Sequence, residues 1–201
     1  MNRFAVAIIL FSVLPASLSG RTIATLGDVS RNREISAGLF NSAKGFGLSL
    51  ILPAKDNDSF ESFDVYADIY GFPTGRAAYY PGIKVQALHN VVLDAKTLPS
   101  YNRFIYTGIG ACAGYVRDYE KFSRWETGPA YLIMNMGGIV CISGAAGIRW
   151  DFSRVVLDLS LQADAGFYMR RHETQGNMIF QLYKNGLYNS FYPQFKIMWK
   201  F

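Results

Sequence analysis

Phe191-Tyr192-Pro193-Gln194-Phe195-Lys196-Ile197-Met198-Trp199-Lys200-Phe201 is the stretch whose reading decides the fold. Counting back from Phe201 in twos gives Trp199, Ile197, Phe195 and Pro193, while Lys200, Met198, Lys196 and Gln194 fill the alternate positions. A period of two is the signature of a strand, because successive side chains leave opposite faces. One face of this strand is apolar and aromatic and the other largely polar. Such a strand needs packing on its aromatic side, which a lipid phase would supply; the final strand of a soluble sandwich is the competing reading.

The composition leans towards lipid. Half of the 201 residues are apolar and 17% are charged, against about 25% in ordinary soluble domains. The chain holds 15 Phe, 13 Tyr and 19 Gly, as expected of a β-barrel with aromatic girdles. A net charge of +5 spread over scattered Lys and Arg gives no basic stripe with interleaved aromatics, so a nucleic-acid partner is not expected. At the start, Arg3, the apolar run Ala5 to Val13 and the small residues Ala16 to Gly20 read as a secretory signal peptide over residues 1–20. A polar periplasmic tail over 21–33 and a barrel over 34–201 are expected to follow.

Seven further runs repeat the terminal pattern: Glu34 to Phe40, Gly45 to Leu52, Phe63 to Tyr70, Ile83 to Leu88, Arg103 to Arg117, Ile139 to Asp151 and Val155 to Ala165. Residues 89–102 are irregular, and Met169 to Tyr188 reads as a long loop. Eight strands of about 9 to 11 residues predict an all-β, eight-stranded antiparallel up-and-down transmembrane β-barrel. Short turns at Pro53 to Ser59 and Asp151 to Ser153 suit the periplasmic side. Long connections at Gly71 to Pro81, Asp118 to Gly138 and Met169 to Tyr188 suit the outside. The uncharged run Pro129 to Ile148 is long enough for a membrane helix, but its glycines and amphipathic flanks favour a strand.

The residues on the polar faces define the expected interior: Asp64, Asp68, Asp158 and Asp164 with Lys84, Arg149, Lys196 and Lys200. Eight strands enclose little more than their own side chains, so these groups are expected to form a charge network that plugs the lumen, with Lys196 near the height of Asp158 or Ser160. Cys112 and Cys141 point to the same side at similar heights, which suits either a cross-strand disulfide or two free, small core residues. A lipid-modifying deacylase or acyltransferase would need a His near a Ser and a carboxylate at the outer rim, but His89 falls at the periplasmic end and His172 lies in an outer loop without a strand-spaced Ser partner. The cysteines and histidines lack metal-ligand spacing. Gly108 to Gly114 lacks the Lys-Ser/Thr and the helix of a phosphate loop. No catalysis, cofactor or metal is therefore expected.

The pattern Phe195, Ile197, Trp199, Phe201 resembles the assembly signal of bacterial outer-membrane β-barrels. That resemblance implies the barrel-assembly machinery as a partner during biogenesis, outer-membrane lipid around the wall, and the outer membrane as location. Phe104-Ile105-Tyr106-Thr107-Gly108 through Ala113-Gly114-Tyr115, Gly137-Gly138, Arg154-Val155-Val156-Leu157 and Gln194-Phe195-Lys196 also resemble the TraO family of Bacteroidetes-type conjugative transposons. The second resemblance implies a role in conjugative transfer machinery. The expected function is that of a non-enzymatic structural or interaction component, meeting protein partners through its extracellular loops.

Overall fold

The computed structural model describes residues 34–42, 45–54, 58–68, 82–117, 136–171, 176–185 and 192–201. The leader and tail expected over 1–33, and the outer segments 69–81 and 118–135, lie outside these residues. The described chain consists of β1 (Ser36–Ser42), β2 (Gly45–Pro53), β3 (Ser59–Asp68), β4 (Gly82–Leu98), β5 (Tyr101–Arg117), β6 (Met136–Asp151), β7 (Val155–Arg171), β8 (Met178–Asn185) and β9 (Tyr192–Lys200). Residues 136–148 of the uncharged run are strand, and no described helix is long and apolar enough to cross a membrane.

Each strand from β1 to β7 pairs antiparallel with the next, and β9 joins β7 to β1, which closes the sheet. The far half of β7, Asp164 to Arg171, pairs with β8, and its near half, Val155 to Gln162, pairs with β9. Strands β8 and β9 are therefore consecutive parts of one stave, and the nine strands make an eight-stave closed barrel. At the closing seam the Phe201 backbone N–H donates to the Ile35 carbonyl at 2.9 Å, so the last residue of the decisive stretch is tied to the start of β1.

The register fixes the size of the barrel. From Asp158 the pairing partners run through Lys196, Phe40, Gly47, Tyr66, Lys84, Gly114 and Ile139 and return to β7 at Tyr168, ten residues farther along. That stagger, with strands spaced about 4.7 Å and rising about 3.3 Å per residue, tilts them by about 41° and gives a backbone radius of about 8 Å. An interior of that width is filled by side chains. Gly108 and Gly147 leave room for inward side chains: a Cβ at Gly147 would stand 2.8 Å from the Tyr106 ring, and one at Gly108 would meet the Asn90 amide.

Two segments differ from the sequence reading. Residues 89–98 continue β4, and Pro99-Ser100 is a tight turn into β5. The register slips between Val92 and Asp94; a bulge inserts one residue and reverses the in–out phase, which is why no alternation shows across this segment. Of the expected loop from Met169 to Tyr188, residues to Arg171 belong to β7 and 178–185 form β8, leaving 172–177 between these two strands and 186–188 after β8. The inward positions of β8 mix Ile179, Gln181 and the buried Tyr183, so the polar–apolar alternation is weak there. All three connections at the rim where β1 begins are therefore short, and the segments 69–81 and 118–135 both leave the opposite, upper rim.

Candidate functional site: the lumen network

Alternate residues on each stave put polar side chains inside and apolar ones outside. Lys84, Asp158, Asp164 and Gln162 are at most 1% exposed, whereas Leu48, Ile109, Ile142 and Phe167 are more than 60% exposed. Interior and exterior are thus inverted relative to a protein that faces water.

At the lower end, where β1 begins, an apolar layer of Ile51, Phe60, Val92, Tyr106, Val156 and Met198 fills the barrel. The β4–β5 hairpin bends at its bulge and adds Ala95 and Phe104 to that layer. The Phe60 and Tyr106 rings meet edge to face at 5.0 Å, a favoured aromatic geometry. Arg149 grips Asp151 with two hydrogen bonds, Nε at 2.6 Å and Nη2 at 2.9 Å, and its guanidinium lies 5.2 Å above the Phe60 ring. Lys200 stands 3.7 Å from Asp151 and 3.8 Å from Glu34.

Above this layer the charges cross the lumen. Lys196 Nζ donates to both oxygens of Asp64 at 2.8 Å and to Ser49 Oγ at 3.3 Å. Tyr106 donates its hydroxyl to Asp158 at 2.8 and 2.9 Å. Lys84 pairs with Asp164, which also accepts from Ser143 Oγ at 2.7 Å and Gln162 Nε2 at 2.8 Å. Gln194 donates to Gln162, whose amide nitrogen donates in turn to Gln86 Oε1 at 2.5 Å. These amides and the Lys84 pair link β9, β7, β6 and β4. A charge taken from water costs several kcal/mol unless it is paired and hydrogen-bonded, a requirement that the Lys84–Asp164 and Lys196–Asp64 pairs meet, while Asp158 is held by the Tyr106 hydroxyl.

The upper lumen between β5, β6, β7 and β8 is apolar again, lined by Val116, Ile139, Tyr168, Tyr183, Cys112 and Cys141. The Tyr168 and Tyr183 rings stack at 6.4 Å. Cys112 and Cys141 are direct register partners and are unbonded.

Of the residues singled out from sequence, Asp64, Lys84, Asp164 and Lys196 form two buried cross-lumen pairs and Arg149 forms a third pair with Asp151. Lys196 lies in register with Asp158 but bonds to Asp64. Asp68 is placed by its backbone pairing with Gly82; its side chain lies outside the described part. Phe195, Ile197 and Trp199 face outward on β9, and Phe201 is 80% exposed at its end. Sequence reasoning did not single out Tyr106, Gln86, Gln162, Gln194 and Ser143 as network members. Their signal was available, since Gln86 and Gln162 each lie two residues from a charge on the same face. His89 Nδ1 lies 2.7 Å from Glu61 Oε1 on the outer surface, and His172 lies outside the described residues. Among the described residues no cluster of three metal-ligating side chains occurs.

These features define the class: an all-β protein built as a closed eight-stave antiparallel barrel, apolar outside, with a lumen crossed by ion pairs and amide hydrogen bonds. No protein-family model and no curated protein matches the chain. Among solved structures it is similar to the N-terminal β-barrel domain of Pseudomonas aeruginosa OprF, at 12% identity and a TM-score of 0.49, over 84% of this chain and 96% of that one. The resemblance to the transposon family gains no support from these comparisons.

Proposed function

We propose that the protein is an integral bacterial outer-membrane β-barrel, non-enzymatic and non-conducting, that acts as a structural or interaction component through its upper connections. The observation that carries this reading is the inversion of the wall, in which a girdle of exposed Leu, Ile, Val and Phe surrounds a buried salt-bridge network. Water would penalise that exterior over so large a continuous area, and a bilayer would reward it. Trp150 and Trp199 sit near the lower edge of the girdle, where interfacial aromatics belong.

In this reading the upper rim is extracellular, because outer-membrane barrels keep their periplasmic turns short and their outer loops long. Outer-membrane lipid is the wall's partner, and the assembly machinery meets the strand ending in Phe201 during biogenesis. Protein partners meet the segments 69–81 and 118–135. A lipid-modifying enzyme is the weaker reading: His89 pairs with Glu61 on the outer wall rather than with a nucleophile. A conjugative role rests on strand-pattern resemblance alone.

Recording from the purified protein in planar lipid bilayers tests the sealed lumen. No stable conductance of porin size is expected, because two buried pairs and the glutamine chain span a bore of about 8 Å backbone radius. A long-lived, large open state would overturn the sealed interior.

A further inference from the structure

We infer that Cys112 and Cys141 are a disulfide site, oxidised while the exported chain is still unfolded, and that the bond sets the register of β5 on β6. The inference rests on the reading that the protein is exported. The two cysteines are direct partners in the β5–β6 ladder, and both point inward and are buried. Directly opposed residues of an antiparallel pair have Cβ atoms about 4.5–5.5 Å apart, and a disulfide closes that gap with a small adjustment to about 3.5–4.5 Å.

The need for such a bond lies in the neighbouring sequence. Register is strongly specified where large side chains sort to one face, and weakly in glycine-rich strands. Around the cysteines, Gly108, Gly110 and Gly114 on β5 pair with Ala145, Ser143 and Ile139 on β6. A two-residue slip would keep every side chain on its own face, and the small residues at the centre of the ladder do little to resist it. Strands β5 and β6 are joined through residues 118–135, whereas β4–β5 and β6–β7 are joined by short turns. A covalent link from position 112 to position 141 permits one register only.

The timing follows from access. Both cysteines are 3% exposed in the folded barrel, and a protein oxidant cannot enter a lumen about 8 Å in backbone radius. On the unfolded chain both are free to react. One cysteine thiolate attacks the disulfide of a protein thiol oxidant, giving a mixed disulfide and releasing one oxidant thiol. The second cysteine thiolate then attacks the mixed disulfide, forming Cys112–Cys141 and releasing the oxidant as a dithiol. Two electrons pass to the oxidant, and the protons lost by the two cysteines balance those gained by its two thiols.

The test is intact mass of protein taken from the outer-membrane fraction, denatured and alkylated with and without reductant. Without reductant, no alkyl group and a mass lower by two hydrogens are expected, with Cys112 and Cys141 peptides joined after digestion. Two alkyl groups on leader-free membrane protein would overturn the disulfide and leave the outer-membrane reading standing. Failure of the chain to reach that fraction would overturn both. Refolding the oxidised and reduced full chains into detergent micelles tests the role in register: a several-fold higher yield of compact protein is expected from the oxidised chain. Equal yields would overturn it.

Discussion

Asp164→Ala is expected to destabilise the barrel by about 3–5 kcal/mol, the usual cost of leaving one member of a buried pair alone. The carboxylate is fully buried on β7 and meets Lys84 from β4 across the lumen. It also accepts from Ser143 and Gln162, so its loss strips partners from an ammonium that is 1% exposed and from two further donors. Replacing both charges, as in Lys84→Met with Asp164→Leu, removes the uncompensated charge and is expected to restore most of the loss. Urea unfolding in lipid vesicles, followed by tryptophan fluorescence, measures both variants. A loss below about 1 kcal/mol for Asp164→Ala would show that the pair is not desolvated as the structure has it.

The second large effect lies on the other side of the wall. Leu161 is 47% exposed on the outer face of β7, midway along the apolar run from Leu157 to Phe167. In a water-facing protein an arginine at so exposed a site changes stability by no more than about 0.5 kcal/mol. Near the centre of a bilayer the same change costs about 2–4 kcal/mol. Leu161→Arg is therefore expected to lose about 2–4 kcal/mol in vesicles. Phe201→Arg, at the lower rim, is expected to lose about 1 kcal/mol or less. Equal, negligible effects at the two depths in the same urea titration would contradict a lipid-facing wall.

The sequence was most legible where the lumen is polar. On β7 and β9 the alternation of Asp158, Ser160, Gln162 and Lys196 with leucines and aromatics follows the wall directly, and both faces are placed as expected. It was illegible where a physical device breaks the alternation. The bulge at Val92 to Asp94 reverses the phase of β4 and hides a strand in an irregular segment. On β8 the inward face mixes Ile179, Gln181 and Tyr183 over a strand of eight residues, so its alternation is weak and it reads as loop.

Pairing was less legible than facing. Lys196 lies beside Asp158 in the ladder yet bonds to Asp64 on β3, because in so narrow a barrel a lysine reaches across the lumen as readily as to the next stave. The ten-residue stagger decides which heights meet, and it emerges only from the whole circuit of pairings. In that circuit it brings Lys84 level with Asp164, although the two are 80 positions apart in sequence.

Fractionation combined with heat-modifiable gel migration tests the central claim, a membrane-spanning closed barrel, most directly. The protein is expected to sediment with the outer membrane, to resist alkaline extraction, and to migrate faster in detergent gels before boiling than after. Release into the soluble periplasmic fraction, with the same migration before and after boiling, would contradict it.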